Sequence, residues 1–518
     1  MAFQSGLIDV TAPDEGHIRA LKHLRDFISG SHVGSIAINA GGSSYDQGDV
    51  GTVLTVNGGT TQGDSSLAAE VEITEVNNGS GTGAVTGARL VNSGSYSIEP
   101  ATLSGNSPTG STTGSGFTVD LTMDSWLTAE IAAGGSSYSV SDVLTVSGGT
   151  GTAATFEVTA VSSGAVTAVK PVNIGAYTEL PTNPASTTGG SGTGCTLTLT
   201  RSHWIIHNDD YSDDETDFEF YCEGVNFSGA NPFGAFLTHT STEGPQWMFI
   251  GATGYNSGGT FFEQTNRSPA SSVDNDTEGE SSRIPLSTSD MDFFFFANSR
   301  RIIVVMKIGN SYEFMYLGLF FPFQDDPATK YPLPFWVSGP TSAADGTVAT
   351  GEGTTHNIGL RHSNNSGHFL RDPVGVWREP STSNSPWSLW PYKNETDLNN
   401  EAEAQAPNIA SGSGFLSTQG AGVADYVADT YYESTATARG GYGSFGIGSR
   451  TYLVEPYTFV QDEVGAVQVL GELDGVFAIQ GRGVNAEDLI LDQNGRAHQV
   501  FPNLSSTGLD DFYTIVRD

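Results

Sequence analysis

The sequence predicts a mainly β protein: an N-terminal helix, two tandem small β-sandwich or barrel modules, a larger aromatic-rich β-sandwich domain and a small C-terminal β domain. Three observations lead there. Glycine accounts for 65 of 518 residues and charged side chains for only 15%, a composition that favours strands joined by tight turns. Short alternating runs such as VLTV and TFEVTAV are separated by Gly-Gly, Ser-Gly and Asn-Gly pairs, the pattern of antiparallel hairpins. One long stretch of the chain repeats itself. A single core stops growing near about 250–300 residues, so 518 residues imply several domains, and a 37% hydrophobic share is enough to fill their cores.

Residues 1–32 read as an arm built on one amphipathic helix. Thr11, Pro13, Asp14 and Glu15 form a helix start, IRALKHLRDFI follows, and Gly30 is a stop. At about 100° per residue, Ala20, Leu21, Leu24, Phe27 and Ile28 share one arc while Arg19, Lys22, His23 and Asp26 share the other. The apolar arc needs a partner surface, either the chain's own body or a neighbouring copy. The second choice makes Ala20, Leu21, Leu24, Phe27 and Ile28 an oligomer interface.

Two modules follow, at 33–126 and 127–203. AGGSSYDQGDVGTVLTVNGGT from Ala40 returns as AGGSSYSVSDVLTVSGGT from Ala133, and VTGARLVNSGSY from Val85 returns as VTAVKPVNIGAY from Val166. STTGSG at Ser111 returns as STTGGSG at Ser186, and each copy closes near a tryptophan, Trp126 or Trp204. Two copies are too few for a solenoid, so they read as separate β units along the chain.

The region 204–393 is aromatic-rich. Met291 to Phe323 has apolar runs broken at Asn298-Ser299 and Gly309-Asn310, which predicts a meander of buried strands. Arg300, Arg301 and Lys307 and the shortness of the runs argue against membrane insertion. Residues 394–470 form an acidic, glycine-rich excursion or linker. Residues 471–518 make a small β cap, with Asn494-Gly495 as a hairpin turn and DDFYTIVRD as the last strand.

Against 58 acidic side chains stand 21 basic ones, a formal charge of −37. Phosphate backbones and anionic membranes are bound by clustered Lys and Arg, so neither nucleic acid nor membrane is an expected partner. The start MAFQSGLIDV lacks a basic region followed by an apolar run, which places synthesis in the cytoplasm. Cys195 and Cys222 are too few for a disulfide framework or a thiolate zinc site and read as buried thiols. No nucleophile elbow, zinc helix or P-loop occurs, and Gly441, Gly443 and Gly446 match a dinucleotide spacing without its strand and helix, so no cofactor is expected. His356, His362 and His368 recur at a strand-compatible interval but lie among loop-forming residues. Six acidic groups crowd Asn208 to Asp217, making Asp209, Asp210, Asp213 and Asp214 the weak metal candidates; their spacing lacks the calcium-loop pattern. A carboxylate-pair glycosidase is set by distance in space and leaves no sequence spacing to find.

The strings GGSSY, VLTVSGGTGTAATF, VTAVSSGAVTAV and STTGGSGTG resemble small β modules that recur in structural proteins of tailed bacteriophages. SRRIIVVMKIGNSYEFMYLGLFFPF with YPLPFWVSG, and the ending from LDGVFAIQGRGV onward, are similar to segments of virion proteins associated with the phage tail or its tip. The resemblance implies a non-enzymatic virion protein of the tail, tail tip or baseplate. Its partners would be other copies of itself, other phage structural proteins and a host-surface glycan or protein. It carries over no functional residues. The alternatives are a virion-borne polysaccharide depolymerase with a carboxylate pair in the aromatic domain, and a capsid decoration or head-fibre protein.

Overall fold

A computed structural model describes residues 2–9, 16–63, 67–77, 83–124, 127–173, 175–200, 202, 204–207, 219–224, 234–240, 245–252, 282–319, 321–322, 335–337, 369–371, 377–378, 387–390, 453–454, 457–461, 467–480, 484–502 and 511–517. The protein is mainly β, and among the described residues Gly16–Ser29 is the one α-helix. No helix among them is long and apolar enough to cross a membrane.

The centre is an antiparallel sheet of seven strands. It starts with β1 (Ala2–Ile8) and continues through Met291–Asn298, Arg301–Ile308 and Ser311–Leu319 to three short strands, Phe335–Val337, Phe369–Arg371 and Trp377–Arg378. The run MDFFFFAN has no polar face because both faces of this sheet are covered. Successive side chains on a strand point to opposite sides, and here Phe293, Phe295, Ile302, Val304, Met315 and Leu317 fill one core while Phe294, Phe296, Ile303, Val305, Phe314 and Tyr316 fill a second.

The first core is closed by the helix α1 (Gly16–Ser29) and by a five-stranded sheet, Trp204–His207, Glu219–Gly224, Gly234–Thr240, Gln246–Ala252 and Ser282–Pro285. The second is closed by the C-terminal sheet, which includes Val476–Gln480, Asp511–Val516, Ala497–Pro502 and Leu489–Leu491. The last two strands pair across the Asn494-Gly495 turn, where Gly495 takes φ +80°. Polar clamps fix the C-terminal sheet to the centre. Glu487 accepts from Lys307 Nζ at 2.6 Å and from Tyr312 Oη at 2.6 Å, and Arg301 pairs with Asp474.

The N-terminal segment therefore belongs to the body formed by the second half of the chain. Phe3 sits opposite Phe296 in register, and Trp247 Nε1 donates to the carbonyl of His17 at 2.7 Å. Ala20, Leu21, Leu24, Phe27 and Ile28 are all 0% exposed inside the first core. This corrects their reading as an oligomer interface: the apolar arc is spent on the chain's own sheets, each large side chain contributing about 1.5–3 kcal/mol by burial. Half of the polar arc is covered as well, Arg19 and Lys22 being only partly buried. Asp26 and His23 are buried, and burial followed by the Arg19 charge lowers the His23 pKa to about 3, so its ring is neutral. Thr11, Pro13, Asp14, Glu15 and Trp126 lie outside the described residues.

Between α1 and Trp204 the chain makes the two modules, and their shared strings mark shared geometry. In the first, Val53–Thr55 pairs with Glu70–Asn77, which pairs with Ala84–Asn92; in the second, Val143–Val146, Thr155–Ser162 and Ala165–Asn173 pair in the same way. Buried Leu54 faces Val71 and buried Leu144 faces Phe156. The Gly-Gly of AGGSSY exists because backbone crosses it closely. A Cβ on Gly41 would meet the Val85 carbonyl oxygen at 2.6 Å, and one on Gly134 would meet that of Val166 at 2.6 Å. Gly42 and Gly135 have φ +67° and +63°, a region that side chains rarely enter. The tyrosine of each G-x-Y string braces a strand: Tyr96 Oη accepts from Ala69 N at 2.7 Å, and Tyr177 Oη from Ala154 N at 2.8 Å.

Candidate functional site

An edge strand leaves backbone N–H and C=O groups without partners, and β1 is the edge of the central sheet. The first module supplies what is missing. Phe3 N donates to Ser93 Oγ at 3.0 Å, Ser93 N donates to the Phe3 carbonyl at 2.7 Å, and Ser5 N donates to Asn92 Oδ1 at 2.9 Å. Ser95 Oγ reaches the Asp26 carbonyl at the end of α1, at 2.7 Å. Arg517, from the C-terminal sheet, donates to the Val91 carbonyl and lies over the Phe3 ring at 3.6 Å from its centroid.

The sequence positions that make this junction sit on a β-bulge. Glu70 pairs with Asn92 and Val71 with Leu90, so Val91 is the extra residue that turns the end of the strand towards β1. Asn92, Ser93 and Ser95 are buried at 7%, 1% and 0% exposure. Sequence reasoning missed all three, along with Arg517. The signal was present as a difference between the copies: VNSGSY has serines where VNIGAY has isoleucine and alanine. In the first copy both serine hydroxyls meet backbone, Ser93 Oγ at Phe3 N and Ser95 Oγ at the Asp26 carbonyl.

A second feature is the cleft of about 870 Å³ between the modules. Ile98, Glu99, Leu103, Asp120 and Met123 line it from the first module, and Tyr177, Leu180 and Asn183 from the second. Its carboxylate Asp120 accepts from Ser104 Oγ, Gly105 N and Asn39 Nδ2, and these donors hold its pKa below the usual range. An acid so held is ionised at neutral pH and cannot serve as a proton donor there.

Asp209, Asp210, Asp213 and Asp214 lie outside the described residues, as do His356, His362, His368, Gly441, Gly443 and Gly446. Among the described residues no group of three His, Cys, Asp or Glu is placed to hold a metal ion. Cys195 and Cys222 are buried and not joined in a disulfide. Comparison of the chain with protein-family models and with curated proteins finds no match.

Proposed function

We propose that the chain is a structural component of a tailed-phage virion, in the tail or tail tip, which assembles as a symmetric homo-oligomer and contacts other virion proteins and the host surface. The observation that carries this reading is the build of the first two hundred residues: two copies of a glycine-pinned β module, the first bonded to a body whose central sheet is covered on both faces. Short strands tied by tight turns and internal hydrogen bonds make stiff spacers. The likeness of the module strings to those of phage structural proteins supports the same reading. Repeated copies in a symmetric assembly gain avidity by linkage, so each contact with a host can be weak. Because α1 is used internally, the copies would meet through other surfaces.

The test is the mass of the native assembly together with the position of labelled chain on particles. A multiple of 54.4 kDa with label on the tail is expected. Label on the capsid would favour a decoration or head-fibre protein. A single-chain mass with no particle label would sink the proposal.

One observation favours a depolymerase reading, at a place other than the aromatic domain expected from the sequence: Glu99 and Asp120 share the cleft between the modules. It predicts that purified chain shortens a host glycan and that Glu99→Gln abolishes the shortening. Unchanged glycan length removes it.

A further inference from the structure

The first module and the C-terminal hairpin leave a pocket of about 470 Å³ between them. Its walls are mostly apolar, with Ile36 and Leu90 from the module and Leu489, Leu491 and Ala497 from the hairpin. Its charges run against those of the whole molecule. The chain carries 58 acidic and 21 basic side chains, yet the residues lining this pocket include Arg89 and Arg517 and no carboxylate. The cleft between the modules is the reverse, lined by Glu99 and Asp120 and by no Lys, Arg or His.

Strand pairing sets the two ends of the pocket. Leu491 lies opposite Ala497, and Arg517 N donates to the Ala497 carbonyl at 2.8 Å, so a leucine, an alanine and an arginine stand in a row across three neighbouring strands. The short alanine is a floor between an apolar end and a cationic end. Leu491, at 67% exposure, is an apolar side chain left at water. Arg517 is positioned in advance, over the Phe3 ring and donating to the Val91 carbonyl and, at 3.3 Å, to Gln499 Oε1. Arg89 is turned to Glu72, whose Oε2 accepts from its Nε at 2.9 Å and its Nη2 at 2.7 Å. The cation beside the floor is therefore Arg517.

We infer that this pocket is a binding site for a small organic monocarboxylate with an apolar body, its carboxylate at Arg517 and its chain along Leu489 and Leu491. An apolar pocket with a few placed polar groups, at the join of two structural units, is the usual build of a small-molecule site. A planar guanidinium suits a carboxylate, and one already held in place loses little freedom when the ligand arrives. An inorganic anion would leave Leu491 at water, and a neutral amphiphile would draw nothing from the charge of Arg517. The site is independent of any role in a particle.

The probe is octanoate, titrated into the full chain and followed through ¹³C-labelled leucine and alanine methyl groups. Saturable shifts are expected at Leu489, Leu491 and Ala497, with octanamide, the neutral analogue of the same length, binding about tenfold more weakly, as loss of a charged hydrogen-bonded pair requires. Arg517→Gln should lower the affinity for octanoate by a similar factor and leave that for octanamide unchanged, a difference that a merely structural role for the arginine would not produce. Because Arg517 also braces the junction, Leu491→Gln is the second variant: it changes an exposed side chain and should weaken both ligands several-fold. Absence of saturable binding, equal affinity for octanoate and octanamide, shifts confined to the cleft between the modules, or acetate binding as tightly as octanoate would each overturn the inference. So would an apolar peptide with a free C-terminal carboxylate that binds more tightly than octanoate, because the occupant would then be a protein terminus.

Discussion

The two modules share strings, strands and bracing tyrosines, yet they live in different surroundings. The first has its bulge corner bonded to β1, α1 and Arg517, and Tyr96 behind it is 1% exposed. The second carries the equivalent Tyr177 half-buried, with Val172 and Asn173 exposed. Residues shared by both copies include those that serve the module itself, and Ser93 and Ser95, present in one, serve what that copy touches. The two glycines of AGGSSY belong to the first kind, and Ser93 with Ser95 to the second. This separation is a physical reading of a repeat that needs no other sequence.

The largest effect expected from breaking the comparison comes from the kept glycines. Gly42→Ala and Gly135→Ala each force a side chain into positive φ and against the backbone of the neighbouring strand, at Ser115 and Thr193 respectively. Strain and overpacking together should cost about 3 kcal/mol in each module. The costs should be alike but their reach should differ. In hydrogen exchange, Gly135→Ala should deprotect the second module alone, whereas Gly42→Ala should also deprotect β1, whose edge the first module covers. Equal confinement of both would show that the junction bears no load.

The next effect tests a contact that only one copy makes. Arg517→Ala removes the cation from the face of Phe3 and a donor from the Val91 carbonyl, at about 1–2 kcal/mol. Exchange of the amides of Phe3, Ser5 and Ser93 should speed up and that of the second module should not move. A change felt equally in both modules would mean that Arg517 stabilises the chain in some way other than through the corner.

Local order was legible in the sequence to the extent that it is local. The repeat, its turns and the breaks at Asn298-Ser299 and Gly309-Asn310 follow from glycine placement and apolar periodicity, and the strands end at those positions. What was not legible is which distant segment completes which sheet. FQSGLI has no alternation that marks it as an edge strand, because the pairing of Phe3 with Phe296 is decided by a core assembled from the far half of the chain. The helix shows the same limit. Its apolar arc was evident, but periodicity leaves open whose surface it meets, and His23 is covered by Phe293 of the central sheet while Asp26 lies against Gly63 and Ser95 of the first module, both segments that follow the helix. At the junction the missing idea was that differences between copies locate contacts.

The smallest effect concerns a carboxylate kept in both modules. Asp49 and Asp142 stand at equivalent positions and tie the GGSSY turn to the late STTG loop. Asp142 accepts from Ser139 N, Ser191 N and Ser191 Oγ, and Asp49 from Asp46 N, Thr113 N and Thr113 Oγ1. For Asp142 the Ser139 N–H, then the Ser191 hydroxyl and N–H, lower the pKa; for Asp49 burial pushes it up, but the Thr113 and Asp46 donors outweigh that and the net direction is down. A folded pKa below the unfolded value, about 3.9, means stability that is fully present above that value and is lost as pH falls through the folded one. Both modules should therefore loosen in the same acid window, below about pH 3.9, and Asp142→Asn should flatten the acid limb for the second module alone. Carboxyl chemical shifts followed by NMR give the order of titration. Should Asp142 titrate at the ordinary value while the turn stays protected, the tie is incidental and the turn is held by Gly135 and its neighbours.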